Sequence, residues 1–139
     1  MGRGRGLVAF GLIALLNPLT ARAESVPQEY REAAEAAGEA YGICPELLEA
    51  ISYEESRFTN DAESPDGKYV GSMQISPSIH GERMERLGIS DLKDPKGAML
   101  VAADYLAELF EENEDVGAVL MHYGGSGKRI PQYEREHGK

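Results

Sequence analysis

From Pro27 onward, apolar positions recur at spacings of three and four residues, the period of helices that bury one face. Tyr30, Ala33, Ala34, Ala37 and Tyr41 predict a first helix over about 28–41, with Gly42 as its C-terminal cap. Pro45 suits the first turn of a second helix, which carries Leu47, Leu48 and Ile51 and ends near Arg57-Phe58. The period breaks over residues 59–71. There Ser64-Pro65-Asp66-Gly67 is a turn signal and Lys68-Tyr69-Val70 could form a short strand, so a small β-hairpin or an irregular loop is expected. Helical spacing returns over Ser78–Leu87, with Ile79, Met84 and Leu87 expected inward and Gly88 as the stop. A fourth helix is capped by Asp94 and opened by Pro95, and Met99, Ala102, Ala103, Leu106 and Phe110 lie on one stripe. Its tail, Glu111 to Asp115, reads as a solvated face. Val116, Val119, Leu120 and Tyr123 predict a fifth helix, ended by the glycine-rich run 124–127. The chain is therefore expected to be mainly α, with one irregular element in its middle.

The first residues follow another pattern. Arg3 and Arg5 precede an apolar run from Leu7 to Leu16, Asn17-Pro18 breaks it, and Ala21-Arg22-Ala23 has the small-x-small form of a cleavage site. This layout predicts a signal peptide over 1–23 and a domain over 24–139; a ten-residue apolar run is short for a bilayer span. The 139 residues leave room for one core. Cleavage would remove three arginines and no acid, taking the formal charge from −10 to −13. So acidic a domain lacks the basic footprint of a nucleic-acid binder, and no nucleic-acid partner is expected. The single cysteine, Cys44, excludes an internal disulfide and is expected in the core beside an apolar helix. His80, His122 and His137 have no metal-ligand spacing, and neither a metal nor a cofactor is expected; His80 is placed on a groove wall or in solvent.

The second helix ends with two adjacent acids. On a helical wheel, Leu47, Leu48, Ile51 and Phe58 centre between Glu54 and Glu55, each roughly 50° from the stripe. Periodicity leaves the choice between them open, and both could be solvated helix-end carboxylates. A carboxyl near a helix C-terminus meets the negative end of the dipole, and partial burial there would favour its neutral form. Such an acid can donate a proton to a glycosidic oxygen.

Residues 50–77, AISYEESRFTNDAESPDGKYVGSMQISP, resemble the transglycosylase domain of soluble lytic transglycosylases, relatives of goose-type lysozyme. Glu55-Ser56-Arg57-Phe58 is similar to the family's Glu-Ser-x-Phe, and Ser64-Pro65-Asp66-Gly67 to its Ser-Pro-x-Gly turn. Gly71-Ser72-Met73-Gln74-Ile75 with Pro77 is similar to Gly-Leu-Met-Gln-Ile and a following proline, with Ser72 for leucine. Asp94-Pro95, Met99, Ala102 and Tyr105-Leu106 resemble a fourth piece, with Ala98 and Ala102 where the family has asparagine and glycine. MHYGGSGKRI, residues 121–130, resembles Ala-Tyr-Asn-Ala-Gly-Pro-Gly-Arg-Val. The resemblance spans about residues 41–129.

The resemblance implies a lysozyme-like helical domain with a small β or loop element beside a substrate groove. It aligns Glu55, not Glu54, with the family's catalytic acid. It also implies cleavage of the bond between N-acetylmuramic acid and N-acetylglucosamine in peptidoglycan, leaving a 1,6-anhydro end. Ser56 would support the acid, and Met73 and Gln74 would line the groove, with core packing the alternative for Met73. Tyr123 would orient Glu55 or the sugar, with the core again the alternative. Gly124 stands where the family has an asparagine that contacts substrate or orients the acid. Two other functions stay open. A hydrolytic muramidase would need a second carboxylate, for which Asp61, Glu63 and Asp66 are candidates. A non-catalytic glycan-binding protein on the same fold would fit the loss of that asparagine. The domain is expected outside the cytoplasm, in the periplasm or outer wall, as a monomer. A small exported domain of this kind suits local opening of the wall beside an envelope-spanning secretion or conjugation complex.

Overall fold

The computed structural model describes residues 25–125; the expected signal peptide, the tail from Ser126 and His137 lie outside them. Five helices follow one another: α1 (Gln28–Tyr41), α2 (Pro45–Ser56), α3 (Pro77–Leu87), α4 (Pro95–Glu112) and α5 (Val116–Tyr123). Their bounds follow from local chemistry. Gly42 takes the left-handed conformation at φ 66° and closes α1, and Gly88 does so at φ 71° after α3. Asp94 caps α4 by accepting from the Gly97 amide, and Asp115 caps α5 through Gly117. Prolines open α2, α3 and α4, where their missing N–H costs nothing.

The core forms where α4 packs against α1, and α2 packs on α1 and also touches α4. The facing surfaces are made of small residues: Ala33, Ala34 and Ala37 on α1, and Ala98, Ala102 and Ala103 on α4, all buried. Short side chains let the two backbones approach closely. Tyr30, Leu48, Met73, Met99, Val101, Leu106 and Val119 fill the rest of the interior. No helix among the described residues is long and apolar enough to cross a membrane.

An ionic knot ties α3 to this core. The Asp104 carboxylate on α4 receives Arg83 and Arg86 from α3 and the Tyr41 hydroxyl from α1 at 2.9 Å. Arg83 also reaches Glu108 at 2.8 Å. Burial pushes the Asp104 carboxyl up, but hydrogen bonds from Arg86, Tyr41 and Arg83 outweigh it and hold its pKa at about 2 against an ordinary 3.8. The side chain is 11% exposed, so solvent screens the knot weakly. A depressed carboxyl stabilises the fold above its unfolded value, and that stability is lost as pH falls toward 2. The contribution is about 2 kcal/mol. Urea unfolding of the parent should weaken by that amount between pH 5 and pH 2, and Asp104→Asn should flatten this stretch of the profile.

Two expectations on placement are corrected. Cys44 is exposed, because Ile43 takes the core position and Cys44, as the residue before the first turn of α2, faces out; its thiol donates to Glu46 at 2.9 Å. Ile79 is 68% exposed rather than inward, and α3 buries no residue fully. The physical reason is a break in the helix: His80 sits at φ −106°, ψ 17°, so one wheel does not describe the segment. The second helix ends where the pattern puts it, with Ser56 its last residue and Arg57 its cap.

Candidate active site

α2 ends abruptly. Arg57 and Phe58 both take positive φ, at 52° and 58°, and with Gln74 at 49° they are the non-glycine residues in this region among those described. Such conformations cost energy and persist where surrounding contacts impose them. Phe58 is held between the Tyr30 and Tyr53 rings at 5.1 and 5.7 Å. The Ser56 hydroxyl donates to the carbonyl of Ser72 at 2.9 Å, and its oxygen accepts from the Thr59 amide at 3.1 Å. Ser52, one turn earlier, is within 3.4 Å of the same Ser72 carbonyl. The last turn of α2 is thus stitched to the segment 71–75.

Of the two forms expected over 59–71 the irregular loop is the one found, and residues 71–75 continue it as a tight coil. Val70 bridges both Glu63 and Ile75. The Ser64–Gly67 turn forms as its sequence predicts, closed by the Gly67 amide on the Ser64 carbonyl at 2.8 Å. Gln74 donates its side-chain amide to the carbonyls of Gly71 at 3.0 Å and Ala62 at 3.3 Å. Ser72, where the family pattern has leucine, is buried, and its hydroxyl has no partner. An unpaired buried hydroxyl costs about 1–3 kcal/mol, so Ser72→Ala should raise stability by about 1 kcal/mol in thermal unfolding.

A groove opens between the end of α2, this coil, the first turn of α3 and the end of α5. Glu55, Tyr69, Gln74, Ile79, His80 and Tyr123 are among the side chains lining it, with Tyr105, His122 and Gly124. Glu55 is half-buried and faces the groove, whereas Glu54 is exposed. Of the two acids that the helical wheel leaves open, Glu55 is the one that lines the groove. The pKa of Glu54 is raised by partial burial against the opposing charge of Arg57, but it does not line the groove. Tyr123 donates its hydroxyl to the Met73 carbonyl at 3.0 Å. Burial, then the nearby Glu55 and Tyr105, push that phenol well above its ordinary value, so it stays protonated. Tyr123 is a fixed wall facing the acid.

Of the five residues picked from sequence, Glu55, Gln74 and Tyr123 meet in the groove. Ser56 lies behind it, holding the coil. Met73 takes the alternative position: its side chain is fully buried in the core, and only its carbonyl serves the site, through Tyr123. Asp61, Glu63 and Asp66 do not line the groove. Glu63 faces Lys93 at 3.4 Å, and Asp66 accepts from the Ser64 hydroxyl and the Lys68 amide inside its own turn. Sequence reading missed an aromatic ladder, His80 on Tyr105 at 4.5 Å and Tyr105 on Tyr123 at 5.7 Å. Its members come from three helices, so no local spacing announces it.

Among the described residues Glu55 is the one carboxylate lining this groove, and comparison with known proteins gives the fold and the family. The chain superposes on the lytic transglycosylase Slt of Pseudomonas aeruginosa, solved as an inactive mutant. The TM-score is 0.66 at 24% identity, covering 78% of this chain and 18% of that one, a likeness of fold. It is 36% identical over 94 residues to membrane-bound lytic murein transglycosylase F of Maricaulis maris and 33% identical over 96 residues to a second such protein of Alkalilimnicola ehrlichii. These stretches cover 68% and 69% of this chain but 20% of each relative, so the chain spans about a fifth of their length. The profile of the transglycosylase SLT domain matches residues 32–139, and the chain belongs to that family.

Proposed function

We propose that this domain is a peptidoglycan lytic transglycosylase in which Glu55 acts as both acid and base. The observation that carries the reading is that Glu55 is the one carboxylate among the described residues lining the groove. Glu55 protonates the oxygen leaving C1 of N-acetylmuramic acid, and the C1–O bond breaks. The muramic acid 6-hydroxyl then gives its proton to Glu55 as its oxygen bonds to C1. No water is consumed, and Glu55 is left protonated as it began. A hydrolase would need a second carboxylate to hold water, and none of the three candidates lines the groove. Tyr123 and Gln74 shape the sugar site, and Ser56 keeps the end of α2 in place. The similarity to membrane-bound lytic murein transglycosylases supports wall glycan as substrate and an extracytoplasmic location. The layout of residues 1–23 supports export.

Gly124 lines the groove at φ −78°, ψ 3°, a conformation open to any residue. A Cβ there would meet only the Leu120 carbonyl, at 3.4 Å. Gly124→Asn should therefore change stability by less than about 0.5 kcal/mol. If an added hydrogen bond reaches acid or sugar, turnover should rise about three- to tenfold. Release of soluble fragments from purified sacculi, followed by loss of turbidity, tests both the activity and this gain. Sacculi that bind the protein and stay intact would favour the non-catalytic reading.

A further inference from the structure

Two neighbours at the start of α3 face the groove with complementary chemistry. Adjacent residues of a regular helix do not share a face. Here His80 departs from helical geometry, and both Ile79 and His80 line the groove. Ile79 is the most exposed large apolar side chain among the described residues and takes no part in the core.

The protonation of His80 is fixed by what lies behind it. Arg83 places one terminal nitrogen on Asp104 and the other on Glu108 at 2.8 Å, and its guanidinium stacks over the Tyr105 ring at 5.1 Å. Its third nitrogen, Nε, donates to Nδ1 of His80 at 3.3 Å. Arginine keeps its protons, so Nδ1 must accept, and a neutral ring carries its hydrogen on Nε2. Burial, then the Arg83 charge, lowers the imidazole pKa against a weaker pull from Glu108, which favours the neutral ring. Tyr105 packs on the ring at 4.5 Å and limits its rotation.

We propose that Ile79 and His80 form a recognition site for an acetamido group of the glycan, His80 Nε2–H donating to its carbonyl oxygen and Ile79 covering its methyl. An acetamido group is an acceptor beside a methyl, which matches a fixed neutral donor beside an exposed apolar side chain. The assignment rests on the transglycosylase reading and adds the feature of the substrate that the groove selects. It makes His80 and Ile79 specificity-determining residues and leaves the proton transfers to Glu55.

The test uses the full chain carrying Glu55→Gln, titrated calorimetrically with a β-1,4-linked N-acetylglucosamine tetramer and with its de-N-acetylated counterpart. His80→Ala should weaken binding of the acetylated tetramer about five- to tenfold and change binding of the deacetylated one less than twofold. His80→Gln, whose amide keeps a donor near Nε2, should stay within about threefold of the parent. Ile79→Ala, an exposed change that leaves the fold alone, should weaken the acetylated tetramer alone by about threefold. Equal losses for both tetramers, or none, overturn the proposal. If wild-type protein solubilises sacculi while those losses fail to appear, the acetamido site falls and the transglycosylase reading stands. If the Glu55→Gln parent binds neither tetramer and the wild type releases nothing, both fall.

Discussion

Glu55→Gln should reduce release of fragments from sacculi by at least about 10³-fold while leaving the unfolding midpoint nearly unchanged. One group serves both proton transfers in this account, and glutamine can do neither while filling the same space. Glu55 stands in the last turn of α2, half-buried, opposite the buried hydroxyl end of Tyr123. Glu54→Gln is the matched control. That side chain is exposed and off the groove, so its activity should stay within about threefold of the parent. The pair of variants asks directly which of two adjacent acids does the chemistry. Equal losses in both would point to disruption of the helix end, and loss in Glu54→Gln alone would reverse the assignment.

Gly71→Ala should be the most destabilising single methyl in the domain. Gly71 lies at φ 84°, and a Cβ there would sit 1.9 Å from the backbone carbonyl oxygen of Leu92. The obstacle is main chain, so no side-chain rotation relieves it. Left-handed strain costs about 1–2 kcal/mol and forced overpacking about 1–3 kcal/mol more. A loss of roughly 2–5 kcal/mol is expected, a large part of the stability of a domain this size. It should appear as a fall of about 10 °C or more in the melting temperature. Function should suffer with it. The Gly71 amide donates to Ala62 at 2.8 Å and its carbonyl receives the Gln74 amide, so the coil that presents Gln74 and Ile75 to the groove depends on this close approach. A melting temperature within a few degrees of the parent would show that the contact with Leu92 is dispensable.

The sequence carries those parts of the fold that local chemistry sets. Pro27 and Gly42 bracket α1, and Asp94-Pro95 starts α4, and the structure has both helices where the pattern puts them. The turn at 64–67 was legible because its residues each favour one backbone state. What periodicity could not supply depends on distant partners. Glu54 and Glu55 flank the apolar stripe symmetrically, and only α5 and the coil at 71–75, far along the chain, make one of them the groove residue. Met73 and Gln74 are neighbours in sequence, yet one is core and one is groove, because the backbone turns at Gln74. The inward reading of Ile79 assumed an unbroken helix, and the kink at His80 removes that assumption. His80, Tyr105 and Tyr123 come together only through the packing of α3, α4 and α5, so the ladder lining the groove is invisible to any window along the chain.

In the proposed reaction a single carboxylate works with an internal nucleophile. Mass spectrometry of the muropeptides released from sacculi by the purified protein tests it most directly. Products ending in 1,6-anhydro-N-acetylmuramic acid, absent when Glu55→Gln is used, are the predicted result. Reducing ends in their place would mean that water is the nucleophile, and would contradict the account.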